Sequence, residues 1–417
     1  MIADFLVRGA RLLTPQGPAP RAGAAQGHLL DIPDAVVAAR DGRIVFAGPA
    51  AEAALVVRPA PGAVIVDAAG DTIVPGFVDA HTHVVYAGDR RVELRRRLAG
   101  ASYTEIAAEG GGILATVRAT RRADEEDLCR QAWPRLDQML ASGTTTCEAK
   151  SGYGLETAAE LKILRAIRHL DHDHPIDLVP TFLGAHEVPP EYRDRRRAYI
   201  DLVIEEMIPA VVEEQAADWC DVFCDTGVFT AEEAEEILDA GRRAGLRPRI
   251  HADELDASGG ALVAAAVNAR SADHLIHVSP AGIAALAEAG VVATLLPAAA
   301  FYLKLPHYAP ARALIQAGVP VALGTDINPG GGLSPSMPFA LTLACFAMGL
   351  TLEEALTAAT LNAAYAVDRH ELVGSLEPGK AMDAVLVRGD ATELLRVGAP
   401  AIRAVIKRGK IVVEASR

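Results

Sequence analysis

Short apolar runs alternate with longer amphipathic stretches through the middle of the chain. The apolar runs have the length of buried strands, whereas the stretches between them repeat apolar residues with a helical period. Eight runs predict strands, at residues 76–81, 144–149, 177–185, 219–224, 248–252, 272–278, 291–296 and 321–325. Strands that alternate with helices form parallel βα units, and eight such units predict an α/β fold, a TIM-like (β/α)8 barrel.

Helices are predicted most clearly at residues 124–141, 231–244 and 351–367, whose lengths and apolar spacing suit an outer ring. Thr351 and Glu354 form a capping box at the start of the third helix. An open doubly wound sheet also alternates strands and helices, but it carries a glycine-rich phosphate fingerprint after its first strand. The segment after the first predicted strand holds no such fingerprint, which favours the barrel.

Both ends of the chain carry shorter strand-like runs without candidate chemistry. Near the N-terminus they lie at residues 5–13, 35–40 and 43–47; near the C-terminus they lie at 384–388 and 401–413, the last interrupted by a turn. We expect the two ends to meet in one small β-sandwich beside the barrel. The predicted domains are therefore a β-sandwich of residues 1–70 and 371–417 and a barrel of residues 71–370.

The composition fits a large core made of aliphatic side chains. Hydrophobic residues make up 51% of the 417 residues and aromatic residues only 5%, as in a parallel sheet covered by helices. The formal net charge of −14 argues against a nucleic-acid partner, which calls for a basic face. No segment reaches the roughly 18 uninterrupted apolar residues of a membrane span, so no membrane partner is expected.

The cysteines and the first residues indicate the cytoplasm. Five cysteines are present: Cys129, Cys147, Cys220, Cys224 and Cys345. Their odd number and the lack of C-x-x-C spacing predict neither a disulfide framework nor a thiolate zinc site. The start of the chain places Asp4 early and has too short an apolar run for a secretory signal. The oligomeric state is left open, with a homodimer as one candidate assembly.

Polar residues gather at the ends of three predicted strands, where barrel enzymes carry their catalytic groups. His81 and His83 end the first run, His251 lies at the end of the fifth, and Asp326 follows the eighth. Because side chains alternate along an extended chain, His81 and His83 project to one side and Thr82 to the other. Each residue alone is explained as well by a hydrogen-bonded polar group. Together, three imidazoles and a carboxylate are typical of a Zn or Fe ion with an open position for water.

Three residues near these strand ends are candidates for proton transfer. Asp326 would both contact the metal and accept a proton from water. His274, in the sixth run, would hydrogen-bond that water or Asp326, unless it is a core histidine bonded to the backbone. Glu254 would move a proton onto a substrate nitrogen, unless it is a solvated loop residue. His277, in the same run as His274, is predicted to face the helices.

These residues lie within longer motifs that span most of the chain. The motifs are PGFVDAHTH at 75–83, H-x-x-E at 251–254, TD at 325–326, ATLNAA at 359–364 and GSLEPGKAMDAVLV at 374–387. In these motifs the chain resembles the amidohydrolase superfamily, with Met382 where that family usually has alanine. The resemblance implies a metal-dependent hydrolase with a (β/α)8 barrel.

A second set of motifs is more specific. It comprises GDR at 88–90, EAKSGYGLE at 148–156, FLGAHEVPPE at 182–191, HADEL at 251–255 and TDINPG at 325–330. These resemble amidohydrolases that act on imidazolonepropionate in histidine degradation. The resemblance implies hydrolysis of the cyclic amide C–N bond of 4-imidazolone-5-propionate, which gives N-formimidoyl-L-glutamate.

The same resemblance implies the roles of individual residues. One Zn or Fe ion per subunit would be held by His81, His83, His251 and Asp326. The substrate would contact Arg90, Tyr153, His186, Glu254, Asn328, Gly330 and Gly331. Gly331 stands where the family commonly has a hydroxyl residue, so any substrate contact there must come from the backbone. Glu254, His274 and Asp326 would be the catalytic residues.

Two other functions fit part of the pattern. A mononuclear deaminase acting on cytosine or guanine shares the metal-ligand positions, but a neutral base needs no carboxylate clamp, so Arg90 favours the propionate. A noncatalytic scaffold fits poorly with intact ligands at every strand end. A bimetal centre with a carbamylated lysine is disfavoured because residues 219–225 contain no lysine. Lys150, which follows the second run, is interpreted as a lysine that stabilises the fold or contacts the metal ligands from outside, and not as a carbamate that binds metal.

Overall fold

The computed structural model describes residues 1–100 and 111–415 of the chain. Its strands lie in two sheets, of which the first combines both chain ends. The strands of this terminal sheet are β1 (Ile2–Thr14), β2 (Leu30–Arg40), β3 (Arg43–Pro49), β4 (Arg58–Asp67), β5 (Thr72–Pro75), β15 (Ala384–Val387), β16 (Ile402–Lys407) and β17 (Lys410–Glu414). Their order is β17-β16-β15-β5-β1-β2-β3, with β4 paired to β1.

The two ends of the chain meet where β5 lies between β1 and β15. β5 runs parallel to β1 and antiparallel to β15, and a buried apolar cluster that includes Phe5, Leu12, Ile73 and Leu386 packs across this junction. The predicted unit built from both ends is thus confirmed. β4 and β5 are strands that the hydrophobic pattern did not reveal. Because β5 belongs to the terminal sheet, the chain enters the barrel only after Pro75; the domain boundaries at 70 and 371 stay predictions.

The second sheet is the parallel barrel. Its strands are β6 (Phe77–Asp79), β7 (Thr144–Lys150), β8 (Asp177–Ala185), β9 (Trp219–Cys224), β10 (Arg247–Pro248), β11 (Ile250–Ala252), β12 (Ser271–His274), β13 (Val292–Leu295) and β14 (Val321–Leu323). They follow one another in chain order from β6 to β14, with β10 and β11 as two pieces of the fifth strand. The predicted barrel and its eight strand positions are confirmed.

Hydrogen bonds between the segments that follow the first and the last strand close the barrel at the carboxyl ends of these strands. The Asp326 N–H donates to the His81 carbonyl at 3.0 Å, and the His83 N–H donates to the Ile327 carbonyl at 2.9 Å. The Asp79 carboxylate accepts from the Thr325 N–H at 2.9 Å and from its hydroxyl at 2.5 Å. This closure brings the segments after β6 and β14 together.

Helices surround the barrel, as the amphipathic stretches predict. The α-helices in the described part of the chain are Ala50–Val56, Arg91–Leu98, Ile113–Arg122, Glu125–Ala141, Thr157–Asp173, Arg196–Leu202, Ile208–Glu213, Ala231–Ala244, Gly260–Ala266, Pro280–Ala289, Pro297–Leu303, Ala311–Gln316, Met337–Phe346, Leu352–Ala359 and Leu361–Ala366. The capping box of Thr351 and Glu354 is present. The predicted helix at 351–367 is divided at Thr360, whose φ of −129° and ψ of −90° leave the helical region.

Two predicted strands end earlier than expected. The run at 76–81 stops at Asp79, so His81 and His83 lie in the segment beyond β6. The run at 272–278 stops at His274, because His274 and Leu275 have left-handed φ angles of 75° and 58°. His277 therefore lies in a turn, half-buried, where its N–H donates to the Asp253 carbonyl.

All five cysteines are free, in agreement with the sequence. Among the residues that the structure describes, no helix combines the length and the apolar character needed to cross a membrane.

Candidate active site

Histidines and one aspartate from four different parts of the barrel meet at its carboxyl-terminal end. His81 and His83 follow β6, His251 lies in β11, His274 ends β12 and Asp326 follows β14. All five side chains are buried. Parallel strands that close into a barrel bring their carboxyl ends to one face, which is why residues so distant in sequence become neighbours.

Thr82 shows how the two histidines of the first segment come to face the same way. Its N–H donates to the Glu148 carboxylate at 3.1 Å, and its hydroxyl donates to the Glu148 carbonyl at 2.6 Å. These bonds hold Thr82 against β7 and leave His81 and His83 directed to the opposite side. The predicted alternation thus holds, although this segment is not part of a strand.

The four predicted metal ligands face one another at short distances. His251 Nε2 lies 3.3 Å from His83 Nε2. Asp326 Oδ1 lies 3.6 Å from both His81 Nε2 and His83 Nε2, and no group in the described residues hydrogen-bonds the buried Nε2 of His81. Converging ring nitrogens and a carboxylate oxygen fit a single Zn or Fe ion, because they are the donors that these metals prefer.

The protonation states of the two histidines after β6 suit metal binding. Burial, followed by nearby positive charge, holds the pKa values of His81 and His83 well below the usual range. The neutral imidazole has a free lone pair and is the form that binds a metal. Burial likewise raises the pKa of Asp326 to about 7, because a buried carboxylate charge is disfavoured.

Carboxylates orient two of the imidazoles from behind. Asp273 Oδ2 accepts from His81 Nδ1 at 2.6 Å, and Asp221 Oδ2 lies 3.0 Å from His251 Nδ1. The hydrogen bond keeps a proton on His81 Nδ1 and leaves its Nε2 as the lone-pair donor toward the centre. Asp221 lies at ion-pair distance on the Nδ1 side of His251. Neither Asp221 nor Asp273 was predicted from the sequence, although each lies inside a predicted strand where an apolar residue would be usual.

Glu254 and His274 lie together beside the candidate metal ligands. His274 Nε2 is 3.7 Å from Glu254 Oε2, and both side chains are almost fully buried. Burial, and then the charges of Asp326 and Asp225, raise the pKa of Glu254 well above its usual range. A carboxyl group whose pKa is raised in this way keeps its proton to higher pH than a solvated glutamate does, as a general acid requires. Glu254 is thus buried, not the solvated loop residue that the sequence also allowed.

One cavity of about 470 Å³ contains nearly all the predicted site residues. The predicted residues that line it are His83, Arg90, Tyr153, His186, His251, Glu254, His274, Asp326, Asn328, Gly330 and Gly331. His81 lies deeper and is fully buried. The lining also includes residues that the sequence did not single out, among them Arg97, Phe223, Leu255, Leu303 and Lys304. The apolar residues among them carry no distinctive sequence pattern, whereas the positive charge of Arg97 and Lys304 could have indicated a site for an anion.

Arg90 reaches the cavity wall because residue 330 is glycine. A Cβ at Gly330 would lie 2.1 Å from Arg90 Nη1, so any other residue would push the guanidinium away. Arg90 Nε donates to Glu93 Oε2 at 2.6 Å, which fixes one edge of the guanidinium. Arg97 Nη2 donates to the Gly330 carbonyl at 2.6 Å. Two arginines therefore meet at the same glycine.

Asn328 shapes the glycine-rich segment that follows Asp326. Its Oδ1 accepts from the N–H groups of Gly330 at 2.8 Å and Gly331 at 2.6 Å. A Cβ at Gly332 would lie 1.6 Å from the Asp326 carbonyl oxygen, so only glycine fits there. A Cβ at Gly331 would meet only the Leu303 side chain, at 3.5 Å. Gly331 therefore lies where a hydroxyl side chain has room, as the family pattern indicates.

His186 is held in one orientation by the backbone. Its Nδ1 lies 2.8 Å from the Gly152 carbonyl, which can only accept, so Nδ1 carries the proton. The ring stacks on His83 with a centroid distance of 5.1 Å. Burial lowers the pKa of His186 to about 3. Near neutral pH its Nε2 is therefore an acceptor, able to bind an N–H of a ligand.

Glu160 holds the segment that carries Tyr153. Its fully buried carboxylate accepts from three backbone N–H groups, those of Gly152 at 2.8 Å, Gly154 at 2.7 Å and Leu155 at 2.7 Å. Gly152 in turn binds His186. One carboxylate thus positions two residues of the cavity wall.

Replacing Glu160 with glutamine should loosen this segment, because an amide presents one oxygen and a hydrogen-bond donor to N–H groups that all need acceptors. We expect a loss of stability of about 1–3 kcal/mol, typical of an unsatisfied buried donor, and a higher KM with unchanged metal content. Denaturant unfolding and steady-state kinetics measure these effects. The exposed neighbour Glu156→Gln is the control; equal behaviour of the two variants would remove the role assigned to Glu160.

Known proteins resemble the chain in sequence and in fold. A model described as "Amidohydrolase family" matches residues 72–412. The imidazolonepropionase of Symbiobacterium thermophilum is 49% identical over 414 residues, covering 99% of this chain and 97% of that protein. The imidazolonepropionase of Alkaliphilus metalliredigens is 44% identical over 421 residues, covering 100% of both. A 5-methylcytosine deaminase from Klebsiella pneumoniae superposes with a TM-score of 0.74 at 17% identity, covering 99% of this chain and 98% of that chain; that likeness shows the fold alone.

Proposed function

The chain belongs to the amidohydrolase family, and from that premise we propose how its site works. Its activity is the hydrolysis of imidazolonepropionate in histidine degradation, supported by 44–49% identity to imidazolonepropionases over nearly the whole chain. Water adds to the ring carbonyl of 4-imidazolone-5-propionate, the amide C–N bond breaks, and N-formimidoyl-L-glutamate is released. The observation that carries the proposed mechanism is a single cavity that combines a metal-ligand set with Arg90 and Glu254.

We propose that His81, His83, His251 and Asp326 hold one Zn²⁺ or Fe ion per subunit. The facing Nε2 atoms of His83 and His251 and the unsatisfied Nε2 of His81 support this assignment. A bound divalent ion would lower the pKa of water and polarise a carbonyl group. Asp326 is the one member of the set with a carboxylate, which makes it the acceptor for the proton that the attacking water loses.

Arg90 is proposed to bind the propionate. Its guanidinium lies against Gly330 at the cavity wall, with Nε already fixed by Glu93. The remaining nitrogens form a planar fork that matches a carboxylate. The net charge of −14 opposes the approach of an anionic substrate, so a local cation is needed at this point. Tyr153, Asn328 and the backbone of Gly330 and Gly331 complete the pocket around the ligand.

Three side chains are proposed to handle hydrogen bonds and protons at the ring. His186 Nε2 accepts an N–H of the imidazolone ring, because its Nδ1 is committed to Gly152. That leaves His274 as the donor to the carbonyl oxygen as negative charge develops there. Glu254, which holds its proton in this buried site, donates it to the ring nitrogen as the C–N bond breaks. Asp326 and Glu254 thus begin the reaction as base and acid.

Turnover of imidazolonepropionate, cytosine and guanine by the same preparation tests this proposal, with ammonia release measured in parallel. Hydrolysis of imidazolonepropionate without ammonia release is the expected result. Ammonia release from cytosine or guanine, without turnover of imidazolonepropionate, would favour a nucleobase deaminase on the same metal-ligand set. The comparison is decisive because both reactions use one metal and differ in what the cavity recognises.

Replacing Arg90 with methionine is expected to raise KM for imidazolonepropionate and leave metal content unchanged. Stability should fall as well, because Glu93 loses its partner in a nearly buried ion pair. Truncating one partner of a buried charged pair typically costs about 2–5 kcal/mol, which corresponds to a roughly tens- to thousands-fold loss in kcat/KM. Lysine should restore only part of the loss, because an ammonium has no planar fork. Arg91→Met is the matched control, since its side chain is 85% exposed. Unchanged kinetics for Arg90→Met would place the carboxylate elsewhere.

The cellular compartment of the enzyme is also a proposal. Five free cysteines support a reducing compartment, and we propose the cytoplasm. A homodimer is one candidate assembly, and a sedimentation measurement at micromolar concentration distinguishes it from a monomer.

A further inference from the structure

A cluster of charged side chains lies directly behind the proposed metal ligands. It consists of Glu148 and Lys150 from β7, Asp221 from β9, Asp273 from β12, and Arg249, which stands between β10 and β11. Each of the five side chains is fully buried. We call this group the buried charge cluster. Charges so deeply buried are costly unless they are paired, and the reaction proposed above does not use Lys150 or Arg249.

Two of the proposed metal ligands, His251 and His81, each contact a carboxylate of the buried charge cluster. Each of these carboxylates in turn accepts a hydrogen bond from a cation. Asp221 Oδ2 lies 3.0 Å from His251 Nδ1 and accepts from Lys150 Nζ at 2.7 Å. Asp273 Oδ2 accepts from His81 Nδ1 at 2.6 Å and from Arg249 Nη2 at 3.2 Å. Lys150 Nζ also donates to Glu148 Oε1 at 2.7 Å and lies 3.8 Å from Asp273 Oδ2.

We propose that Lys150 and Arg249 are positioning residues that set the metal affinity of the site through Asp221 and Asp273. The inference rests on the metal centre of the proposed function. Each cation holds its carboxylate in place against the Nδ1 side of a histidine, so that the Nε2 of that histidine is turned toward the metal. The Arg249 guanidinium is fixed further by donation to the carbonyls of Ala366 at 2.9 Å and Ala80 at 2.7 Å.

The charges also add up in favour of one divalent ion. The buried charge cluster holds three carboxylates and two cations, which leaves one negative charge. An ionised Asp326 adds a second. A single divalent ion therefore balances these two negative charges. The cluster thus matches a mononuclear centre.

Replacing Lys150 with methionine tests the inference, and the chain offers a matched control. Lys407 is a second buried lysine, only 5% exposed, that donates to Asp177 and Asp383 at 2.7 Å each. It also donates to the carbonyl of Thr145, at the opposite end of β7 from Lys150. Lys150→Met leaves two fully buried carboxylates, Glu148 and Asp221, without their lysine, whereas Lys407→Met leaves the buried Asp383 and the partly exposed Asp177. Only the first lies behind the metal ligands.

The measurement is the dissociation constant of Zn²⁺, by competition with a chromophoric chelator, for the wild type and both variants. Loss of a group that orients a metal ligand typically weakens binding by about 10- to 100-fold. We expect that loss for Lys150→Met and none for Lys407→Met, although both lower the unfolding temperature. Equal Zn²⁺ affinity in all three proteins would overturn the inference.

Asp273→Asn provides a second route if Lys150→Met does not fold, because asparagine keeps the shape and removes the charge. Its Zn²⁺ affinity should fall by the same order, and an unchanged affinity would again overturn the inference. A wild-type protein that binds neither Zn²⁺ nor Fe²⁺ would contradict the proposed function itself. The two failures are therefore distinguishable, since only the second appears before any residue is changed.

Discussion

Replacing Asp326 with alanine is expected to abolish turnover of imidazolonepropionate and to remove most of the bound metal. Asp326 is the only carboxylate of the proposed ligand set, and its Oδ1 lies 3.6 Å from the Nε2 atoms of both His81 and His83. Without it, three neutral imidazoles would have to hold a divalent ion in a buried site. The same change would remove the proposed acceptor for the proton of the attacking water. No other single substitution is expected to reduce activity as much.

Elemental analysis and turnover on the same preparation measure this effect, with Asp173→Ala as the control. Asp173 ends the helix Thr157–Asp173, and its side chain is 64% exposed. His81→Ala should resemble Asp326→Ala in metal content, since it also removes one of the four ligands. Full activity in a metal-free preparation of either variant would contradict the metal centre.

Replacing Glu254 with glutamine is expected to lower kcat strongly and to leave metal content and fold intact. The amide has the size of the carboxyl group but carries no proton that it can transfer. A positioned proton donor typically contributes about two to four orders of magnitude to the rate. The backbone N–H of Glu254 donates to Asp225 Oδ2 at 2.8 Å, and that bond is unaffected by the substitution. The segment should therefore keep its position.

The pH dependence of kcat for Glu254→Gln separates lost proton transfer from lost structure. Because the pKa of Glu254 is raised, the wild-type enzyme keeps its proton donor until the pH exceeds this raised pKa. The kcat of the wild type should therefore fall as the pH rises further. The variant has no such group and should lack that limb. Glu288→Gln, at an exposed helix position, should leave the profile unchanged. A kcat equal to that of the wild type would reduce Glu254 to a residue of the cavity wall.

The sequence predicted the fold, and it predicted which residues of the candidate site lie together, where the residues leave a periodic or spaced signal. Eight apolar runs located the barrel strands, and His81, His83, His251 and Asp326 lay at their ends. Strand alternation gave the right orientation of the two histidines for a segment that is not a strand, because an extended chain alternates in the same way. The precise ends of strands did not follow from the pattern.

What the sequence did not reveal depends on pairing between distant residues. β4 lies at the edge of the terminal sheet and is mostly exposed, so it has no apolar alternation to detect. The strand that ends at His274 is shorter than predicted because His274 and Leu275 have left-handed backbone angles, which a leucine rarely adopts. Asp273 acquires its role only when the fold brings Arg249 and His81 to it.

One measurement tests the central claim most directly, that a single metal ion in this cavity supports hydrolysis of imidazolonepropionate. The protein is stripped with a chelator and titrated with Zn²⁺, and separately with Fe²⁺, while the loss of imidazolonepropionate is followed. We predict no turnover without metal and a rise that reaches its plateau at one equivalent per chain. Full turnover by the metal-free protein, or a rise that continues to two equivalents, would contradict the claim.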